Sequence, residues 1–155
     1  MLFRTHIVFS VLVYLIIVRY LAIGSPIVFG IFLILATMFV DIDSRNSKMG
    51  KRFYFRPIQW IVKHRGIFHS LLFGLLISVI IAAVHSWAGV GFFVGYVSHL
   101  FMDCFTRSGV KVFWPVYNKK ISFGWVRSGG VAEDVIFVLL LLLNLWLVWV
   151  WIVLS

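Results

Sequence analysis

Long apolar runs separated by short polar clusters set the layout of this chain. They cover roughly residues 7–23, 26–40, 67–84, 87–102 and 135–154. A helix needs about 17–25 mostly apolar residues to cross a bilayer. The runs at 26–40 and 87–102 fall slightly short of that, and each ends in a carboxylate. The pattern predicts an all-α integral membrane protein of about five transmembrane helices, with helices two and four ending inside a protein-lined site. Gly24-Ser25-Pro26 predicts a tight turn between helices one and two, with Pro26 at a natural helix start. Residues 109–127 alternate apolar and polar positions on either side of Asn118-Lys119-Lys120, which predicts a short hairpin or an aromatic loop.

Length and composition fit this reading. The 155 residues make a single transmembrane domain, 1–155, and 63% of them are hydrophobic with mean hydropathy +1.07. Arg4 and the stretch Ala22-Ile23-Gly24 look like parts of a cleavable signal. The apolar stretch between them exceeds the usual h-region of about 7–15 residues, so it is read as a retained first helix.

The net charge of +9 is unevenly placed. Arg45, Lys48, Lys51, Arg52, Arg56, Lys63 and Arg65 lie between helices two and three. Arg107, Lys111, Lys119, Lys120 and Arg127 lie between helices four and five. The opposite turns hold no Lys or Arg, with only Arg19 near that side. The positive-inside rule places the N-terminus and both long loops in the cytoplasm and the C-terminus outside. The basic surplus is thus a topology signal, and nucleic acid is not expected as a partner. Residues 50–65 interleave cations with aromatics, the composition of a segment lying at lipid headgroup depth.

The candidate chemistry lies at the helix ends. The acidic residues are Asp41, Asp43, Asp103, Glu133 and Asp134; four of the five histidines are His6, His64, His69 and His99. With alternating spans, all of them reach one side of the membrane. His99 and Asp103 are four apart, so one helical face presents both to one point, and Gly91 and Gly95 on that face permit close helix packing. Ser70, Gly74 and Ser78 make a similar small-residue stripe on helix three. Two helical histidines at 64 and 69 would diverge by roughly 140°, so Gly66 is expected to end a loop that brings His64 in beside His69. Asp41-Ile42-Asp43 places two carboxylates at a helix C-terminus, where the dipole opposes them and a cation would compensate. Asp134 is explained by the favourable dipole of a first turn. Glu133 has that explanation too, or serves as ligand or base. His85 lies on the other side. The single Cys104 excludes an internal disulfide and reads as a buried bystander.

A membrane-facing Asp costs about 2.5–3.5 kcal/mol at a helix centre, and a shared metal offsets that for several at once. Mixed His and Asp ligation suits Zn²⁺, then Mn²⁺ or Fe²⁺, with one to three ions. The expected ligands are His6, Asp41, Asp43, His64, His69, His99, Asp103 and Glu133. Such sites activate water and polarise phosphoryl oxygens. Arg65 is expected to clamp a phosphate, and Asp41 or Glu133 to take the water's proton.

The blocks Thr5-His6, Asp41-Ile42-Asp43, His64-Arg65-Gly66-Ile67-Phe68-His69-Ser70, Gly95-Tyr96-Val97-Ser98-His99 with Asp103, Ser108-Gly109, Trp114-Pro115 and Glu133 occur in that order. In this the chain resembles the LexA-regulated membrane-bound metal-dependent hydrolases, the YdjM-like proteins, along almost its whole length. Helix two more often ends in Pro-Asp-Ile-Asp in that family; here Val40 precedes Asp41. The resemblance implies hydrolase activity without a defined substrate. The motif order also looks like that of helical zinc phospholipases C and related nucleases, which implies phosphoester chemistry. The reading that follows is a metal-dependent hydrolase of the inner or cell membrane, acting on a phosphoester of a membrane lipid or other amphiphile. A membrane metal-binding or ion-transport protein using the same ligands is the alternative.

Overall fold

Among the described residues, five α-helices form from the apolar runs: α1 Phe3–Tyr20, α2 Pro26–Phe39, α3 Leu71–Val84, α4 Ser86–Cys104 and α5 Val131–Val153. The structure, a computed structural model, describes residues 1–43 and 67–153, with Ile42 and Asp43 described for their backbone only. The expected interfacial segment at 50–65, together with His64 and Arg65, lies outside the described residues.

Of the five helices, α1 and α5 are long and apolar enough to cross a bilayer. The 14 residues of α2 and of α3 rise about 21 Å, less than the roughly 30 Å of bilayer hydrocarbon. Their outer faces are still apolar and exposed: Ile27, Ile31 and Leu35 on α2, and Leu72, Leu75, Leu76, Val79 and Ile80 on α3. Short elements continue both helices at the same end. A 3-10 turn, Val40–Asp43, prolongs α2, and another, Ile67–His69, leads into α3.

The core lies between α2, α3 and α4. Ala36, Val40, Phe92, Tyr96 and Leu100 are buried together, with Phe39 and Phe73 packed against them. The α2–α4 contact is the most extensive between helices among the described residues. Its closeness comes from glycine: a Cβ on Gly91 would strike the Phe29 carbonyl, and one on Gly95 the Leu33 carbonyl. Gly74 and Ser78 are likewise buried on α3, Gly74 under the Tyr96 ring. The first helix packs on α5 and α2. Asn144 of α5 binds it by donating from Nδ2 to the Val8 carbonyl at 3.0 Å, a polar tie of the kind that joins helices in membranes.

Pro26 occupies the first turn of α2, as expected. His85 separates α3 from α4 and caps α4, its Nδ1 accepting from the Ala88 amide at 3.3 Å. The predicted hairpin is reduced to one antiparallel pair, Val110 with Ile121, plus a parallel pair, Thr106 with Val126. No strand forms among the described residues. Backbone bonds tie the segment to the end of α4, from the Phe123 amide to the Cys104 carbonyl and from the Val126 amide to the Phe105 carbonyl; Ser122 adds a side-chain tie to the Thr106 carbonyl, and Thr106 one to the Asp103 carbonyl. The Leu71 amide donates to the Val112 carbonyl at 2.7 Å. Residues 105–130 thereby close against the helix ends that carry the histidines.

Candidate metal centre

Four elements deliver side chains to one buried point. The first turn of α1 supplies His6. The 3-10 turn after α2 supplies Asp41, and the one before α3 supplies His69. The last turns of α4 supply His99 and Asp103, four residues apart and on one face. His6, His69, His99 and Asp103 are almost fully buried, and the Asp41 side chain is 16% exposed.

His99 stands at the centre. Its ring stacks on His6 at 3.8 Å between centroids and meets His69 edge-on at 5.8 Å. His99 Nε2 lies 3.8 Å from Asp41 Oδ1 and 3.6 Å from Asp103 Oδ2. His6 Nε2 lies 3.3 Å from Asp103 Oδ1, and His69 Nε2 lies 3.7 Å from Asp103 Oδ2. Two sets of ligand atoms result, His6–His99–Asp103 and Asp41–His69–His99, and they share His99. The Met1 ammonium also contacts Asp103 Oδ1, at 2.6 Å.

A second layer orients these groups. His99 Nδ1–H donates to the Thr37 carbonyl at 2.9 Å, which turns Nε2 into the cluster and leaves its lone pair for a ligand. Thr37 is itself held, its hydroxyl meeting Ser10 Oγ at 2.8 Å and the Leu33 carbonyl at 2.9 Å. Tyr96 donates to the Phe68 carbonyl at 2.7 Å and so fixes the turn that carries His69. Ser70 caps α3 by accepting from the Phe73 amide. Sequence reasoning did not find Thr37, Ser10 or Tyr96 in these roles. The Thr37 contact is made by a backbone carbonyl, which any residue provides.

Glu133 is fully buried but belongs to neither ligand set. Its Oε1 accepts from the Leu2 amide and from Thr5 Oγ1 at 2.9 Å; its Oε2 accepts from the Gly129 amide at 2.7 Å. It therefore ties the first turn of α1, one residue from His6, to the start of α5. Asp134 pairs with Arg4 at the surface. His85 lies at the far end of α3 and α4, as expected. Cys104 is buried, free and outside both ligand sets. His64, Arg65 and the Asp43 side chain fall outside the described residues. Glu133→Gln turns one acceptor into a donor opposite backbone N–H groups. It should lower stability by about 1–3 kcal/mol, the cost of an unsatisfied buried group. Metal content should be unchanged, as thermal unfolding in detergent and elemental analysis of the same sample would show.

The donor set fits a divalent cation. His6 Nδ1 is buried and makes no hydrogen bond among the described residues, while Nε2 of His6 and Nε2 of His99 face only carboxylate oxygens, at 3.3–3.8 Å. Unsatisfied buried polar atoms are rare because each costs about 1–3 kcal/mol. Three imidazoles and two carboxylates are the ligands Zn²⁺ prefers, and Mn²⁺ or Fe²⁺ accept them too.

Together these features define an α-helical membrane protein with a buried His/Asp cluster able to hold a metal ion. The profile of the YdjM inner membrane protein family matches residues 1–155, and the chain belongs to that family. The inner membrane protein YdjM of Escherichia coli (strain K12) is 31% identical over 124 residues, 74% of this chain. The same identity and coverage hold for inner membrane protein YdjM of Shigella flexneri. The uncharacterized protein YvsG of Bacillus subtilis (strain 168) is 27% identical over 100 residues, 62% of each chain. The match to the two YdjM proteins spans 63% of their length. No solved structure matches the chain.

Proposed function

We propose that the protein is a membrane-embedded metal-dependent hydrolase that cleaves a phosphoester of a lipid or similar amphiphile. The observation that carries the reading is the pair of His/Asp sets sharing His99, buried at one end of the helices. His6, Asp41, His69, His99 and Asp103 would hold one or two ions, Zn²⁺ first. Such an ion supplies activation of water and polarisation of a phosphoryl oxygen. Asp41, the most exposed carboxylate of the cluster, is positioned to take the proton from water. Asp103 is engaged on both oxygens by His6, His69 and His99, which suits a ligand better than a base. Glu133 acts by holding the first turn of α1 in place.

We further propose that all five helices lie in the membrane as one domain, with the cluster and both long loops on the cytoplasmic side. The Lys and Arg distribution supports this orientation. The apolar outer faces of the short α2 and α3 support their burial in lipid. Phe113, Tyr117, Phe123 and Trp125 are exposed beside Lys111, Lys119 and Lys120, a composition suited to lipid headgroups.

Purified protein, loaded with Zn²⁺ or Mn²⁺, should release a product from one member of a panel of phospholipids and polyprenyl phosphates in micelles. Chelator should abolish the release, and mass spectrometry of the extract reads it directly. Stoichiometric metal with no product from any lipid would replace the hydrolase with a membrane metal-binding protein.

A further inference from the structure

The two ligand sets share His99, and the orientation of the histidine rings decides between them. His99 has one nitrogen to give: Nδ1–H is committed to the Thr37 carbonyl at 2.9 Å, which leaves the lone pair of Nε2. That lone pair lies in the plane of the ring. The His6 ring is stacked on His99 with 3.8 Å between centroids and 3° between planes. Parallel planes share no point, so no single ion lies on both lone pairs while the rings are stacked. His69 differs. Its plane crosses that of His99 at 76°, with 5.8 Å between centroids, and ligand atoms of His69, His99 and Asp41 lie within 4.8 Å of one another. One ion can lie in both of these ring planes. Asp103 is divided in the same way. Its Oδ2 faces His99 Nε2 at 3.6 Å and His69 Nε2 at 3.7 Å. Its Oδ1 faces α1, with His6 Nε2 at 3.3 Å and the Met1 ammonium at 2.6 Å.

We propose that the ion is bound by His69 and His99, with oxygens from Asp41 and Asp103, and that His6 is a positioning residue and not a ligand. The proposal rests on the metal site of the proposed hydrolase and divides that site into ligands and support. His6 acts through two contacts. Its ring lies flat on His99 and, with the Thr37 carbonyl, fixes the plane in which Nε2 offers its lone pair. Its Nε2 faces the Asp103 oxygen that is directed away from His69 and His99. An outer partner of this kind orients a ligand without touching the ion. His6 is buried and follows Thr5, whose hydroxyl donates to Glu133, so α1 holds the imidazole in place. The ligands then come from the 3-10 turns beside α2 and α3 and from α4, while α1 supplies the support. Two carboxylates and two neutral imidazoles also cancel the charge of a divalent ion, as a buried site requires.

The test uses the full chain with ¹⁵N-labelled histidine, loaded with ¹¹³Cd²⁺ in detergent. A histidine nitrogen bound to the ion is split by coupling to the cadmium nucleus, and an unbound one is not. Replacing one histidine at a time assigns the signals. His69 and His99 should each show one split nitrogen, and both nitrogens of His6 should be unsplit. In His6→Phe, which keeps a ring against His99, both splittings should remain while cadmium affinity falls by about 10–100-fold, the usual effect of losing an outer partner. His69→Ala should remove a split signal and lower affinity by more than about 100-fold, beyond that outer-partner range. This second comparison stands even if His6→Phe does not fold. A split His6 nitrogen, unchanged affinity in folded His6→Phe, or a His69→Ala protein that keeps every split signal would overturn the proposal. Failure to bind cadmium at all would remove the metal site itself, whereas splitting at His6 removes only its division into ligands and support. Neither result depends on whether a lipid is cleaved.

Discussion

His99→Ala should strip the protein of metal. His99 belongs to both ligand sets, so its loss leaves each with two ligands, where a firmly held Zn²⁺ has at least three from the protein. It also removes the ring against which His6 stacks and the group lying between Asp41 and Asp103. Loss of an outer partner of a metal ligand costs about 10–100-fold in affinity, so loss of this ligand should exceed about 100-fold. His6→Ala and Asp41→Ala each touch one set and should have smaller effects. His85→Ala, at the other end of α4, should have none. Elemental analysis after dialysis against a fixed free Zn²⁺ concentration gives the comparison, with the melting curve of each variant as the check on folding. Wild-type metal in folded His99→Ala would place the ion away from α4.

Gly95→Leu should cost both the fold and the site. The new Cβ would lie against the Leu33 carbonyl, and a backbone carbonyl inside a helix cannot swing aside. The remaining response is for α2 and α4 to separate. Overpacking of a tight contact costs about 1–3 kcal/mol and occasionally more. Here the separation also pulls Thr37, whose carbonyl holds His99 Nδ1, away from α4. Metal content should therefore fall together with thermal stability. Val90→Leu, on an exposed face of the same helix, should leave both unchanged. A Gly95→Leu protein that melts like the wild type and keeps its metal would mean that the α2–α4 approach does not position His99.

Much of the arrangement was legible in the chain because each of the five apolar runs forms a helix, and two of them are long and apolar enough to cross a bilayer. The clustering of His6, Asp41, His69, His99 and Asp103 was expected from their places at the ends of the apolar runs, and the i, i+4 spacing of His99 and Asp103 placed that pair on one face. Gly91 and Gly95 were readable as a close contact because little else explains two glycines one turn apart in an apolar helix. What escaped was set by tertiary contact. Glu133 looked equally suited to ligand, base or first-turn acid, and only the fold shows its oxygens facing the Leu2 and Gly129 amides and the Thr5 hydroxyl. Alternation at 109–127 suggested a hairpin, but the backbone pairs only at Val110 with Ile121 and, farther out, Thr106 with Val126, leaving single bridges. The run at 26–40 became α2 almost as read, but the 3-10 turn Val40–Asp43 that carries Asp41 beyond it had no signal in the sequence.

X-ray absorption at the zinc edge of the purified, detergent-solubilised protein tests the central claim most directly. Stoichiometric zinc is expected in a shell of nitrogen and oxygen only, at about 2.0–2.2 Å, with the outer-shell signature of more than one imidazole. No stoichiometric metal, or a sulfur ligand at about 2.3 Å pointing to Cys104, would contradict it.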